Sequence, residues 1–434
     1  MSTLFTNVTA LLMDDAFTTL RGGFVAVEGQ HITYAGPDRP AGNFDEVIDC
    51  IGRVMLPGFV NAHTHVPMSL MRGYGGGHDL QTWLNDWIFP AEAKLDDRAV
   101  RAGAGLGLAE MIASGVTCIA DMYMHTGTIA QLCLDAGMSA NLSCGGVYFG
   151  AAGDFTSDGC GDCKNQKELT ERWHNAGHGQ IRTDASIHAE YTSCAPLWKW
   201  MADYARDNGL RMHVHVSETV SEHEACLARH GLTPIETLDQ YGVWDNGGIA
   251  AHCVYTTAED WAVMRDKDVS CVHNPWSNLK LGSGIAPIPA MLSAGVNVAL
   301  GTDGMSSHNS ADFFSDIKLA ACLHKGAGRD PMAVTVRQAL EMATVSGARA
   351  LGRTDTGRIA PGYVADLILV DFTAPNLTPC HDEGENLVYA AHGSNVALNM
   401  ARGKVIYKDG EFLTLDLEEI KREVREYALP LIFG

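Results

Sequence analysis

The chain has 434 residues, of which 46% are hydrophobic and 19% charged, a balance typical of a soluble globular protein. Its 52 acidic residues outnumber 31 lysines and arginines, giving a formal net charge of −21. This acidic balance argues against a nucleic-acid or anionic-membrane partner, because both require a basic surface. No apolar run reaches the roughly 18 residues needed to cross a bilayer, and the N-terminal segment lacks the features of a secretory signal.

Both ends of the chain are rich in short β patterns. Residues 22–29 and 31–37 alternate or run β-branched with glycine and proline between them, and residues 357–372 and 395–412 look similar. We therefore expect a small β-sandwich domain built from residues 1–56 and 355–420. Residues 417–429 have the charged amphipathic pattern of a solvated surface helix.

The middle of the chain, residues 57–354, alternates short apolar runs with helical patterns. Eight runs have the length and composition of buried strands: 59–65, 116–123, 139–147, 183–191, 210–218, 247–255, 269–275 and 297–303. Eight β/α units in roughly 300 residues predict a TIM-like (β/α)8 barrel. A doubly wound open sheet is the alternative, but no G-x-G-x-x-G motif follows the first strand.

Twelve cysteines are scattered through the chain, as expected for reduced thiols in a cytoplasmic protein. Cys160 and Cys163 form the one close pair. A lone C-x-x-C is weak evidence for zinc binding or redox chemistry, and a glycine-rich surface loop is favoured there.

Histidine is over-represented, with 18 residues. At this abundance chance alone gives about one H-x-H pair, so spacing decides little and position carries the argument. His63 and His65 end the first predicted barrel strand and point to the same face. His215 ends the fifth strand and Asp303 the eighth, at the barrel end where such enzymes keep their chemistry.

Three imidazoles and one carboxylate form a ligand set suited to zinc or another divalent transition metal. Glu218 follows His215 closely and lies where a general acid or base belongs, beside the metal rather than on it. His252 ends the sixth strand at the same mouth. His213 faces the same way as His215 but one layer deeper, which favours a hydrogen-bonded core histidine.

Several segments resemble the amidohydrolase superfamily over nearly the whole chain. They are PGFVNAHTHVPMSLMRG (57–73), LQTWLNDWIFPAE (80–92), MHVHVSET (212–219), AAHCVY (250–255), SNLKLGSGIAPI (277–288) and GTDGMSSHN (301–309). The pattern is most similar to the branch of deaminases acting on 5'-methylthioadenosine and S-adenosylhomocysteine, near the triazine chlorohydrolases and guanine deaminases. It implies a metal-dependent deaminase of an adenosine-type nucleoside that releases ammonia.

The resemblance also implies roles for individual residues. His63, His65, His215 and Asp303 correspond to metal ligands, with Asp303 also taking the proton of the attacking water. Glu218 corresponds to the proton donor to the purine ring, and His252 to the histidine that orients the water. The implied substrate contacts are Trp83, Glu92, His188, Glu218, Ser307 and Asn309.

Two absences refine these expectations. The fourth predicted strand ends His188-Ala-Glu-Tyr191 without the lysine that bridges two metals in binuclear relatives, so one metal ion per subunit, most often zinc, is expected. The run after the third strand contains no arginine for the carboxylate of S-adenosylhomocysteine. This favours adenosine, 5'-methylthioadenosine or 5'-deoxyadenosine, although Lys164 or Lys167 offers a substitute cation.

Other readings stay open on the sequence alone. The same scaffold hosts chlorohydrolases and guanine and cytosine-type deaminases, and Glu92, matched to ribose binding, is the residue that favours a nucleoside. A non-enzymatic binding protein is a remote alternative, since such proteins usually lose metal ligands. The resemblance further implies a homo-oligomer with a small-molecule substrate, whereas the expectation of neither a nucleic-acid nor a membrane partner comes from the acidic charge balance.

Overall fold

The computed structural model describes residues 2–434, and within them the chain forms nineteen strands. The strands of the N-terminal part are β1 (Ser2–Leu11), β2 (Thr19–Glu28), β3 (His31–Gly36), β4 (Glu46–Asp49) and β5 (Arg53–Pro57). The central strands are β6 (Phe59–His65), β7 (Val116–Met122), β8 (Ser139–Ser143), β9 (Ile181–Thr183), β10 (Ala185–Ala189), β11 (Met212–Val216), β12 (Gly248–His252), β13 (Val269–His273), β14 (Val298–Leu300) and β15 (Asp303–Gly304). The last four are β16 (Leu367–Asp371), β17 (Val396–Ala401), β18 (Lys404–Lys408) and β19 (Glu411–Phe412).

Helices separate most of the central strands. They are α1 (Leu80–Thr82), α2 (Phe89–Glu92), α3 (Asp97–Ala113), α4 (Thr126–Ala136), α5 (Gly161–Trp173), α6 (Ala176–Gly179), α7 (Ala195–Asn208), α8 (Val220–His230), α9 (Pro234–Gln240), α10 (Ala258–Asp266), α11 (Pro275–Lys280), α12 (Ile288–Ser293), α13 (Phe313–Gly328), α14 (Val336–Ala343), α15 (Val345–Ala350), α16 (Glu383–Glu385), α17 (Leu417–Glu423) and α18 (Leu429–Phe433). Short 3₁₀ or π turns cover Val66–Met71, Trp83–Ile88, Ala152–Asp154, Pro375–Leu377, Asn386–Ala390, Gly393–Asn395 and Val424–Ala428. In the part of the chain that is described, no helix combines the length and apolarity required of a membrane span.

Strands from both ends of the chain lie in one nine-stranded sheet. Its order is β19-β18-β17-β16-β5-β1-β2-β3, with β4 also paired to β1. Hydrogen bonds thus join strands from both ends of the chain into a single sheet. That its two halves pack face to face as a sandwich stays a prediction. The ten-residue β1 makes this continuity possible: β2 pairs with one edge, and β4 and then β5 pair with successive parts of the other. A separate apolar cluster fills one face, including Phe5, Val25, Leu367 and Leu398.

The central strands form two parallel five-stranded sheets whose order follows the chain. One is β15-β6-β7-β8-β9 and the other is β10-β11-β12-β13-β14. A parallel bridge between Gly146 and Ile187 connects the segment after β8 to β10. At the other margin Gly301 N donates to His273 O at 3.1 Å, and Asp303 pairs with Thr64. The molecule is therefore a mixed α/β protein, and the predicted site residues lie at or near the carboxyl ends of its parallel strands.

Each of the eight apolar runs contains at least one strand, but two of them are interrupted. The fourth is split into β9 and β10 around the buried Asp184, and the eighth into β14 and β15. Gly301 lies in the second gap, where an added Cβ would approach His63 O to 2.7 Å. Only glycine allows the chain to pass this close to β6, and Asp303 then follows with a left-handed φ of 61°.

Two local predictions are wrong. Cys160 and Cys163 do not lie on a surface loop: Cys160 precedes α5 directly, Cys163 lies in its first turn, and both side chains are buried. The C-terminal helix does not end at residue 429, and it is not merely solvated. Helical structure continues through Phe433, and Val424, Ala428 and Ile432 are buried where this region packs against α3 and α2.

Candidate active site

Four predicted side chains meet at the carboxyl ends of β6 and β11 and at the first residue of β15. The candidate ligand atoms of His63, His65, His215 and Asp303 all lie within 4.8 Å of one another. His65 Nε2 is 3.2 Å from Asp303 Oδ1 and 3.3 Å from His215 Nε2. His63 Nε2 is 3.3 Å from the same carboxylate oxygen. The four atoms thus enclose one small volume rather than forming separate pairs.

The second ring nitrogen of His65 and of His215, Nδ1, forms a hydrogen bond with a backbone carbonyl. His65 Nδ1 donates to Met122 O at 2.5 Å, and His215 Nδ1 donates to His188 O at 2.8 Å. Because each of these rings donates from Nδ1, its Nε2 carries a lone pair when the ring is neutral. Burial lowers the pKa of His215 well below its usual range. Burial also lowers the pKa of His65, but hydrogen bonding to Asp303 outweighs it and raises that pKa to about 9, so His65 Nε2 carries a proton that a bound cation would displace. With that proton displaced, two Nε2 lone pairs 3.3 Å apart would fit a shared cation.

His63 is oriented by the deeper histidine of the same motif pair. Its Nδ1 lies 2.8 Å from His213 Nε2, and His213 Nδ1 lies 3.3 Å from Ser143 Oγ. Burial lowers the pKa of His213 well below its usual range, so this ring is neutral and accepts from His63. That proton assignment leaves His63 Nε2 as a fully buried nitrogen without a hydrogen-bond partner, which is the state expected of a metal ligand.

The two oxygens of the Asp303 carboxylate have different partners. Its Oδ2 accepts from Ser277 Oγ at 2.6 Å and from Ser307 Oγ at 2.8 Å, while Oδ1 faces His63 and His65. Burial raises the pKa of Asp303, but the contacts of Oδ1 with the facing histidines and the positive charge of His65 outweigh burial and hold the pKa well below its ordinary value. The carboxylate therefore stays charged, as a cation site requires.

Glu218 lies just beyond β11 with its side chain buried. Ser283 Oγ donates to Glu218 Oε1 at 3.2 Å, and His252 Nε2 is 3.8 Å from Glu218 Oε2. Burial raises the pKa of Glu218, the nearby His252 lowers it, and the charge of Asp303 raises it further. A carboxyl group held toward its protonated form beside a cation site is equipped to donate a proton.

The His252 ring is fixed from its far side. It ends β12, and its Nδ1 lies 2.8 Å from Asn278 Oδ1 and 3.4 Å from Asn274 Nδ2. Its ring stacks on that of His215 with the centroids 5.5 Å apart. These contacts leave Nε2 facing Glu218 at the edge of the four-residue cluster.

A cavity of about 420 Å³ opens onto this cluster. Among the predicted site residues, its lining includes His65, Trp83, Glu92, His188, His215, Glu218, His252, Asp303 and Ser307. Its other walls are largely apolar: Leu80, Leu84, Ile88, Phe89, Met122, Met124, Val147, Phe149 and Leu281. The segments after β6, β7, β8, β10, β11, β13 and β15 thus contribute to one pocket.

The structure separates the predicted substrate contacts into two groups. Trp83, Glu92 and His188 lie on the cavity wall, and burial raises the pKa of Glu92. Ser307 also lines the cavity, but its hydroxyl is committed to Asp303 and to Gly304 O. Asn309 does not line the cavity: it is exposed, has a φ of 80°, and accepts from Lys280 Nζ at 2.5 Å. The left-handed backbone turns this residue to the surface, which corrects its predicted contact with the base.

Lysines suggested as partners of a substrate carboxylate are also absent from the wall. Lys167 lies with its Nζ 5.6 Å from the ring centroid of Trp200, and Lys164 is likewise not part of the lining. Among the described residues that line the cavity, none is a lysine or an arginine. Asp162, whose Oδ2 accepts from Val147 N at 2.9 Å, adds an acidic group instead.

Several residues that support the site escaped prediction. Ser277, Asn278 and Ser283 bind Asp303, His252 and Glu218 respectively, and all three come from the segment 277–288. That segment carried a family resemblance, but Ser277 and Asn278 lie in the short helix α11 and Ser283 in the loop after it, where no periodicity would reveal their roles. Glu222 was also missed, although it accepts hydrogen bonds from Ser217 N and Glu218 N.

Comparison with known proteins places these residues in context. The model of the Amidohydrolase family matches residues 54–406. A 5-methylthioadenosine/S-adenosylhomocysteine deaminase from Moorella thermoacetica is 42% identical over 93% of this chain and 94% of its own length. A 5'-deoxyadenosine deaminase from Methanosarcina acetivorans is 40% identical over 98% and 97%. The crystal structure of an adenosine deaminase from Xanthomonas campestris with bound zinc superimposes with a TM-score of 0.92 at 31% identity, covering 99% of this chain and 98% of the other.

Proposed function

The chain belongs to the amidohydrolase family, and we propose that it is a metal-dependent hydrolytic deaminase of adenosine-type purine nucleosides. The products are the corresponding inosine-type nucleoside and ammonia. The observation that carries this proposal is the buried Glu218 carboxyl group beside the four-residue cluster, in one cavity with Glu92 on its wall. The relatives named above as deaminases support the same reaction type.

The proposed cofactor is one divalent metal ion per subunit, zinc being the best candidate. His63, His65, His215 and Asp303 would hold it, since two Nε2 atoms that face each other, an unpartnered buried nitrogen and a charged carboxylate fit a small dication. The similar adenosine deaminase contains zinc. When bound, such an ion acts as a Lewis acid and lowers the pKa of water toward about 7, which supplies the nucleophile.

Glu218 is the proposed general acid. The amino group of adenine leaves only after the ring nitrogen next to the reacting carbon gains a proton, because the ring otherwise takes on an unfavourable negative charge. Glu218 is buried, and burial raises its pKa, which favours the protonated form that a general acid needs. Asp303 takes the proton of the attacking water through Oδ1 and passes it to the amino group, which leaves as ammonia, while Ser277 and Ser307 hold Oδ2. The proton left on the new C6 oxygen returns to Glu218 as the carbonyl forms. His252, fixed by Asn278, orients the water.

The cavity walls would hold the nucleoside. Trp83 offers an apolar surface, Glu92 accepts hydrogen bonds from ribose hydroxyls, and His188 contacts the substrate near the cluster. The lining has no basic side chain among the described residues, and Asp162 is acidic. A substrate carboxylate would therefore have no bidentate partner. We expect neutral 5'-groups, as in adenosine, 5'-deoxyadenosine and 5'-methylthioadenosine, to be favoured over S-adenosylhomocysteine.

The proposal extends to the architecture. The two parallel sheets form a TIM-like (β/α)8 barrel over residues 57–354, supported by the bridge at Gly146 and the pairing of β15 with β6. Residues 1–56 and 355–420 form the small β domain, followed by a C-terminal helix. A cytoplasmic location, supported by the abundance of free thiols, and assembly into a homo-oligomer belong to the same proposal.

The test is an ultraviolet assay of the purified zinc-loaded protein with five compounds: adenosine, 5'-methylthioadenosine, 5'-deoxyadenosine, S-adenosylhomocysteine and guanine. The expected result is the spectral change of deamination with ammonia release for the neutral nucleosides. A lower kcat/KM is expected for S-adenosylhomocysteine. Activity on guanine but on none of the nucleosides would overturn the assignment.

A further inference from the structure

We propose that Glu222 is a positioning residue that fixes the orientation of the Glu218 carboxyl group. This inference rests on the proposed role of Glu218 as general acid. Glu222 lies in the first turn of α8 and is buried. Its Oε1 accepts from Ser217 N at 2.8 Å and its Oε2 accepts from Glu218 N at 2.8 Å. One carboxylate therefore binds the backbone of the acid and of the residue before it.

Ordinary helix capping does not explain this contact. In α9 the equivalent glutamate, Glu236, returns to the N-cap residue itself and accepts from Thr233 N at 3.1 Å. Asp260 in α10 and Gln338 in α14 make the same reciprocal contact with their own N-cap residues. In α8 the N-cap Thr219 accepts from Glu222 N in the usual way, but the Glu222 side chain passes Thr219 and binds residues 217 and 218.

The backbone that Glu222 binds is strained. Ser217 has a φ of 49°, a left-handed conformation that is costly for a residue with a Cβ. This turn determines where the next side chain points, and Glu218 is directed toward Ser283 and His252. Two charge-assisted hydrogen bonds from consecutive N–H groups stabilise the turn, and both carboxylate oxygens are needed to accept them.

The arrangement also has a cost that a structural cap would avoid. Burial raises the pKa of Glu222 to about 7, and the adjacent charge of Glu218 raises it as well. A neutral polar residue would cap α8 without placing a second carboxyl group next to the acid, as Gln338 does in α14. The specific gain from Glu222 is therefore the fixed turn at residues 217 and 218.

The experiment compares Glu222→Gln with the matched control Glu236→Gln. Glutamine has only one acceptor oxygen, so one backbone N–H loses its partner and the turn loosens. We expect Glu222→Gln to lower kcat by about 10- to 100-fold, the range associated with small misplacements of a reacting group, with full metal content and little change in KM. Glu236→Gln should leave kcat unchanged.

A second background separates positioning from general destabilisation. If Glu222 acts through the acid, adding Glu222→Gln to Glu218→Gln should lower the residual rate by less than twofold, because there is no acid left to aim. Ser217→Gly, which removes the strain of the left-handed turn, should recover part of the rate lost in Glu222→Gln. An equal loss of rate in both backgrounds would overturn the proposal.

Hydrogen exchange provides a readout that does not depend on activity. The amides of Ser217 and Glu218 should exchange at least tenfold faster in Glu222→Gln than in the wild-type protein or in Glu236→Gln. Unchanged exchange would refute the proposed contact even if no substrate were turned over. If the wild-type protein deaminates none of the substrates, the proposed function is refuted. The exchange measurement still tests the contact between Glu222 and the backbone in that case.

Discussion

The chemistry of the candidate site depends on which nitrogen of each histidine faces the cluster. His65 and His215 donate from Nδ1 to backbone carbonyls, and His63 is held by His213. Such contacts behind a ligand fix its tautomer and ring orientation. The strand periodicity places His63 and His65 on one face, but these backing contacts come from β7, β10 and β11, which are distant in the sequence. For this reason the ligand set could be predicted from sequence, whereas Met122 and Ser143 could not.

Replacing Glu218 tests the proposed general acid directly. Glu218→Gln keeps the shape of the side chain but cannot donate a proton from a carboxyl group, so kcat should fall by about 100- to 10,000-fold. Elemental analysis should still find one metal ion per chain, because Glu218 is not among the four clustered ligands. Deamination at a near-normal rate in this variant would exclude the role.

Asp184 gives a pH-dependent stability prediction away from the cavity. Burial raises its pKa from 3.8 to about 6, although Asn141 and the positive charge of Arg211 and Arg353 oppose the shift. Between pH 4 and 6 the folded protein therefore holds a proton that the unfolded chain has lost, and stability falls as pH rises through this window. Above pH 6 the buried charge of Asp184 lowers the free energy of unfolding by about 3 kcal/mol.

Asp184→Asn removes this titration. The Tm of the variant relative to wild type should rise as the pH increases from 4 to 6 and should then become constant. Thermal unfolding followed by circular dichroism across this range measures the difference. Parallel Tm curves for the two proteins would show that Asp184 does not titrate as its burial implies.

At the scale of elements, the site is built where strands end and the backbone leaves the regular β conformation. Ser217, His252 and Asp303 all have positive φ values, between 49° and 73°. Short apolar runs predicted the eight central strands, but they give no indication of these left-handed backbone turns. Asn309 is an example of such a turn. Its sequence motif was recognised, but its φ of 80° turns the side chain toward Lys280 at the surface.

One buried side chain couples the terminal sheet to the central elements. Asn399 of β17 donates from Nδ2 to Ile112 O at 2.9 Å and to Val116 O at 3.0 Å. Asn399→Ala leaves both buried carbonyls without this donor, at a cost of about 1–3 kcal/mol. We expect a Tm lower by several degrees, measured by calorimetry, and unchanged kcat at 25 °C. The matched control Asn43→Ala removes an exposed asparagine and should leave the Tm unchanged.

For the molecule as a whole, the division into a terminal β-rich part and a central α/β part could be inferred from composition and periodicity. The continuity of the nine-stranded sheet could not, because it depends on which edges of β1 are occupied by β2, β4 and β5. The packing of the C-terminal helix was missed for a related reason. Its sequence is highly charged, yet Arg98 of α3 pairs with Glu423 and lies over the ring of Tyr427.

Metal binding should stabilise the folded protein, because its ligands come from three strands that are far apart in sequence. Removal of the metal with a chelator should lower the Tm, and zinc should restore it. The double variant His63→Ala/His215→Ala should have a low Tm that zinc does not change. Equal responses of this variant and the wild type would place the metal elsewhere.

The most direct test of the account is a zinc titration of the metal-free protein while 5'-deoxyadenosine deamination is followed by absorbance. We expect activity to be absent without metal, to rise in proportion to added zinc, and to reach its maximum at one equivalent per chain. Full activity of the metal-free protein, a maximum only at two equivalents, or no deamination at any zinc concentration would contradict a mononuclear metal-dependent deaminase.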